Sequence, residues 1–234
     1  MTPVLGALVL AAVLAMAGLR QRKQIARLET LIREARVLAL TDIEYAPVDA
    51  RWMPYLDGLD VPAGMTALGD FVEHPVGRSA SGALRGFTDA AGTTYGWLAR
   101  AATGNGPVVA ILMSTTPDEM YVTRWTPGRG GQLSAAPWAR VDDAPYALGL
   151  VAAVERHRAR IAAATGLTVV HTLDEMQADC RCVRAKTIAW RQAQPPATLL
   201  DRDLRSILGA KYDSLGPRLA AKLGPEVPKA RVIS

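Results

Sequence analysis

The sequence predicts an α+β domain behind an N-terminal transmembrane helix: an antiparallel meander of about five strands packed against C-terminal helices. Three observations carry this. Residues 4–19 are uncharged and apolar on every helical face, residues 65–126 break into short apolar runs separated by turn residues, and residues 144–223 return to helical periodicity. The chain has 234 residues, half of them hydrophobic and 21% charged, which excludes a wholly disordered chain and a multi-span membrane protein. Two cysteines exclude a disulfide-built scaffold, and three histidines leave little for a histidine-rich metal site.

Val4 to Leu19, taken with Met1 to Pro3, reaches roughly 27 Å as a helix, close to the hydrocarbon thickness of a bilayer. It is read as the bilayer partner, a single-pass signal anchor over residues 1–19. Arg20, Arg22, Lys23 and Arg27 follow it directly and no basic side chain precedes it, so the domain is placed on the cytoplasmic side. Cleavage at Ala15-Met16-Ala17, giving a periplasmic or secreted protein, is the alternative. The spacing of Cys180 and Cys182 agrees with a reducing compartment, since a bond between residues two apart is strained.

Residues 20–40 read as an amphipathic juxtamembrane helix. Ile25, Leu28, Ile32, Ala35 and Ala39 form its apolar seam, and Arg22, Glu29, Arg33 and Arg36 lie opposite. Two to three heptads suit packing on the protein's own domain as well as they suit self-association or a protein partner at Ile25, Leu28 and Ile32. Trp52, Met53, Tyr55, Leu56 and Leu59 then suggest a short helix laid on a core, closed by Val61-Pro62-Ala63-Gly64.

Residues 41–143 are read as the strand-rich part of the domain. Met65 to His74, Ala83 to Asp89, Thr93 to Arg100, Val108 to Met113 and Met120 to Trp125 are the predicted strands. Uniform apolarity marks Val108 to Met113 as buried on both faces. Thr126 to Asp143 reads as a glycine- and proline-rich loop. Asp143 as N-cap and Pro145 in the first turn predict a helix from Ala144 to Thr165, with Leu150, Val151, Val154, His157 and Ile161 on its buried stripe. Leu167 to His171 suits one more strand. A capping box at Thr172 and Glu175 starts a helix running to Trp190, and Gln194-Pro195-Pro196 ends it. Two short helices broken near Gly209 and Gly216-Pro217 complete residues 144–223, and residues 224–234 read as a flexible tail.

Charge is segmented. Residues 20–37 carry six cations and two anions, residues 38–150 seven and twelve, and residues 151–234 fourteen and eight. Basic residues in separate segments, without a stripe of interleaved aromatics, argue against nucleic acid as a partner. The two basic ends instead suit an anionic membrane surface.

The candidate ligand-binding face combines Trp97, Trp125 and Trp138 with Arg124, Arg129 and Arg140, because a glycine-rich loop beside arginines can cradle an anion. Pro127 to Gln132 has neither the lysine-serine/threonine ending of a P-loop nor GxGxxG spacing. A nucleophile trio of Ser114, His171 or His74, and Asp118 or Asp174 lacks a GxSxG elbow or an SxxK pair, and His157 reads as a hydrogen-bonded core residue. His171, Asp174, Glu175, Asp179, Cys180 and Cys182 cluster in sequence, but one residue between the cysteines sends them about 200° apart on a helix, against zinc. No catalytic residue, cofactor or metal is assigned. The expected role is a membrane-anchored, non-catalytic binding, assembly or sensing module. The alternative is a membrane-associated enzyme acting on a phosphorylated or lipid substrate.

Overall fold

The computed structural model describes residues 22–76, 82–100, 106–127 and 133–227. Over these residues the fold is α+β, with one seven-stranded sheet in the order β1 to β7 and helices at the C-terminal end of the chain. The strands are β1 (Ile43–Pro47), β2 (Met65–Pro75), β3 (Gly82–Asp89), β4 (Tyr95–Arg100), β5 (Val108–Thr115), β6 (Met120–Trp125) and β7 (Ala139–Ala144). The helices are α1 (residues 22–38), α2 (Met53–Leu56), α3 (Gly149–Ile161), α4 (Leu173–Ala193), α5 (Pro196–Leu208) and α6 (Tyr212–Leu223).

Sequential strands pair antiparallel from β1 through β6; short connections join β2 to β6, whereas residues 48–64, with α2 among them, link β1 to β2. At one such turn Gly92 takes φ +71, a conformation that favours glycine. The sequence reading missed both edge strands. β1 ends in a proline and β7 carries Arg140, Asp142 and Asp143, so each has weak strand character and a charged or proline-limited edge. β7 lies parallel to β6, where a loop was expected.

Asp143 is therefore no N-cap: it sits in β7 and pairs with Arg124 at 2.7 Å. The helix begins six residues later, because Tyr146 is held on the sheet. Its ring stacks on Trp125 at 4.3 Å, its carbonyl accepts from the Trp125 indole, and its hydroxyl donates to the Val108 carbonyl. Leu167 to His171 forms no strand, although Thr168 and Val170 donate backbone bonds to Thr115 and Gly92. The expected break at Gly216-Pro217 is absent. α6 continues through it, since Leu215, Leu219 and Leu223 form a seam on a buried cluster whose burial outweighs the bond Pro217 cannot donate.

The sheet is covered on both faces. On one, α2 and α3 bury Leu56, Leu59, Phe87, Leu98, Leu112, Ala153 and Val154. On the other, the start of α4 buries Phe71, Tyr95, Met113, Val122 and Met176. Leu112 and Met113 fall in different clusters, as successive strand residues must, so β5 is buried on both sides. A third cluster joins Ile25 and Ile32 of α1 to Leu200, Leu204, Leu208, Leu219 and Leu223, with Leu28 packed against it. The α1 seam is thus covered by α5 and α6.

Arg36, at 1% exposure, donates to the carbonyls of Gly224 and Pro225 at 3.3 and 2.7 Å and approaches Asp203 at 3.9 Å. The chain just past α6 is thus fastened where a tail was expected to fray; residues 228–234 lie outside the described residues. So does the predicted anchor, Val4 to Leu19. Among the described residues no helix is long and apolar enough to cross a membrane.

Candidate functional site

α4 positions the candidate site. Its start is held by the predicted capping box: Glu175 N–H donates to Thr172 Oγ1 at 3.2 Å, and Glu175 Oε2 accepts from the Thr172 and His171 amides at 3.0 and 2.8 Å. Those backbone bonds hold the Glu175 carboxyl below its ordinary range. One and two turns on, Met176 is buried on the sheet, and Asp179 accepts bonds from the buried Tyr95 hydroxyl and from Thr115 Oγ1. Burial, followed by the Asp179 charge, raises the Tyr95 pKa, so its hydroxyl stays a donor.

The second half of α4 is held by other groups. Arg184 donates to the Leu38 and Thr41 carbonyls at the C-terminal end of α1, satisfying groups a helix end leaves open. Arg191 donates to Asp203 at 2.5 Å. Between this half of α4 and the sheet runs a mostly apolar trough of about 360 Å³. Ile111, Met113, Met120, Val122 and Trp97 form its floor. Cys180, Val183, Arg184 and Thr187 form the α4 wall, and Ile43, Tyr45, Glu73 and Arg124 complete it. Met120 and Val183 also line an adjoining, more polar cavity of about 260 Å³ that contains Asp179, Lys186, Cys182, Trp138 and Thr115. Lys186 lies 4.7 Å from the Trp138 ring centre and donates to the Pro117 carbonyl.

The six residues of the predicted face do not converge. Trp97 and Arg124 share the trough, and Arg124 is bidentate to Asp143. Trp138 belongs to the polar cavity, whereas Trp125 faces α3 on the opposite side of the sheet. Arg140 is exposed and paired with Glu119 at 2.7 Å. Arg129 lies outside the described residues.

The proposed nucleophile is otherwise engaged. Ser114 donates to the Thr93 carbonyl at 2.6 Å and meets His157 Nε2 at 2.9 Å, not His171 or His74. His157 Nδ1 meets Thr123 Oγ1 at 2.9 Å, and Arg160 donates to that hydroxyl at 2.8 Å. With Ser114 donating to a carbonyl and Thr123 accepting from a guanidinium, one proton order satisfies every group: Thr123 donates to Nδ1 and Nε2–H donates to Ser114. The imidazole is neutral, its pKa lowered to about 4 by burial and then by Arg160. This chain of bonds joins α3 to the sheet and faces away from the trough.

Cys180 and Cys182 are free, and they diverge as the spacing requires: Cys180 points toward Tyr45 with its thiol pushed up to about 12 by burial, and Cys182 is exposed. Among the described residues no group of three or more histidine, cysteine or acidic side chains is arranged to hold a metal.

A buried ion cluster was not foreseen. Asp203, fully buried, accepts from the Ser134 amide at 3.0 Å, from Ser134 Oγ at 2.7 Å and from Arg191, with Arg36 beside it. It ties α1, α4 and α5 together. Only the coincidence of apolar helix stripes with an aspartate among leucines, Leu199-Leu200 and Leu204 around Asp203, could have signalled it. No protein-family model, curated protein or solved structure matches this chain.

Proposed function

We propose that the protein is a single-pass membrane-anchored, non-catalytic binding module, held by Val4 to Leu19 with its domain in the cytoplasm, and that the trough beneath α4 receives its partner. The observation that carries this reading is an open, mostly apolar trough whose nearby perturbed groups, Tyr45 and Cys180, are held in their uncharged forms by burial. Such a surface offers desolvation and shape to a ligand, and neither of those two groups is ionised to act as a base or nucleophile. The alternative, an enzyme acting on a phosphorylated or lipid substrate, draws less support, because Arg124 and Arg140 are already neutralised by Asp143 and Glu119.

The test is in-cell photocrosslinking of the full chain, with a benzophenone side chain at Trp97 in the trough or at Leu148, 66% exposed and remote from it. Products formed from position 97 alone, and lost when Met120→Arg fills the trough, are expected. Identical products from both positions would overturn the assignment. A reporter fused at the C-terminus checks the compartment: activity only when exported would overturn the orientation.

A further inference from the structure

The three-helix unit of α1, α5 and α6 has a definite end nearest the predicted anchor. Glu29 of α1 lies 3.5 Å from Lys222 of α6, Arg33 donates to the Lys222 carbonyl, and Arg36 donates to the carbonyls of Gly224 and Pro225. The second half of α1 therefore lies beside the C-terminal end of α6, and Ile25, eleven residues before Arg36, is buried in the cluster that Leu208 and Tyr212, on either side of the α5–α6 corner, also join. Arg22 precedes Arg33 by eleven residues, and Lys211 precedes Lys222 by eleven, a length of about 16 Å along each helix. The α5–α6 corner, Gly209–Lys211, lies between Leu208 and Tyr212 of that cluster, and all three of its residues are exposed.

We propose that this end of the unit, the corner Gly209–Lys211 together with Arg22 and Lys23, is a contact surface for the anionic headgroups of the bilayer. The proposal rests on the anchor reading, which supplies the proximity: two residues separate Leu19 from Arg22, a span of at most about 11 Å over three Cα steps. Charge supplies the complementarity. Arg22, Lys23 and Lys211 are exposed and make no ion pair among the described residues, and Asp213 is the one acid between residues 209 and 214. The burial of Ile25 in the cluster shared with α5 and α6 makes α1 a fixed edge of the domain.

A consequence is the height of the trough. Arg184, on its α4 wall, is bonded to Leu38 and Thr41 at the far end of α1, about 24 Å from Arg22 along the helix. The domain stands on its three-helix unit and presents the trough to the cytoplasm, out of reach of lipid.

The full chain is placed in nanodiscs of phosphatidylcholine with or without phosphatidylglycerol, with a trace of headgroup-nitroxide lipid. A bimane label is attached at native Cys182 in a Cys180→Ser background, or at Ala210→Cys with both native cysteines replaced by serine. Quenching at least fivefold stronger at position 210 than at 182 is expected. Added Lys211→Glu should reduce it in anionic discs and leave it unchanged in neutral ones. Equal or stronger quenching at 182 overturns the surface, and an equal effect of Lys211→Glu in both discs overturns the headgroup contact. Chain eluting apart from the discs instead overturns the anchor, and the surface falls with it.

Discussion

Replacing Asp203 by asparagine keeps the side-chain volume and removes the single carboxylate between two buried arginines. Arg36 and Arg191 are 1% and 3% exposed, so solvent cannot screen the loss, and Arg36 Nε and Arg191 Nε already lack hydrogen-bond partners. Removing one partner of a buried pair costs about 3–5 kcal/mol. The carbonyls of Gly224 and Pro225, at the negative end of α6, still face Arg36 and should hold the cost to about 3–4 kcal/mol. For a chain of this size that lowers Tm by about 6–16 °C. Ser134→Ala, which removes one donor to the carboxylate, should cost about 2 kcal/mol. Urea unfolding of the full chain in detergent, followed by far-ultraviolet circular dichroism, measures both. A loss below about 1 kcal/mol for Asp203→Asn would refute the claim that this charge holds α1, α4 and α5 together.

His157 makes stability depend on pH. Its folded pKa, about 4, lies below the ordinary 6.5, so the unfolded chain binds the proton more readily between those values. The contribution is complete above about pH 6.5 and is lost as pH falls toward 4, by about 2 kcal/mol between pH 7 and 5; His157→Gln should flatten that slope in the same unfolding assay. Gly96→Ala should abolish cooperative unfolding, since a Cβ there would lie 1.9 Å from the Ile111 carbonyl oxygen; a normal melt would contradict the β4–β5 approach. Iodoacetamide at pH 8 should alkylate Cys182 within minutes and spare Cys180 until denaturant is added, as read by peptide mass spectrometry.

Much of the meander was legible because its causes are local. β6 matches the run Met120 to Trp125, and β2 to β5 lie within a few residues of their predicted bounds, since alternation and turn residues act over a handful of positions. The capping box at Thr172 was readable for the same reason. The candidate site was legible only in fragments. Trp97 and Arg124 meet in the trough, but Trp125, the residue after Arg124, turns to the other face by strand alternation, and Trp138 lies in the neighbouring cavity.

Sequence alone determined the α+β class, the consecutive strand order from β2 through β6, the start of α4 and the apolar character of residues 4–19, because hydrophobic period, turn chemistry and capping are properties of neighbouring residues. Tertiary structure alone decided that β7 adds parallel to β6, that Tyr146 delays α3, that α1 packs on α5 and α6, and that Arg184 and Arg191 hold the second half of α4 beside an open trough. Those outcomes depend on groups far apart in the chain finding partners once buried. The cost of leaving a guanidinium or carbonyl unpaired exists only after the core has formed, so no local pattern records it.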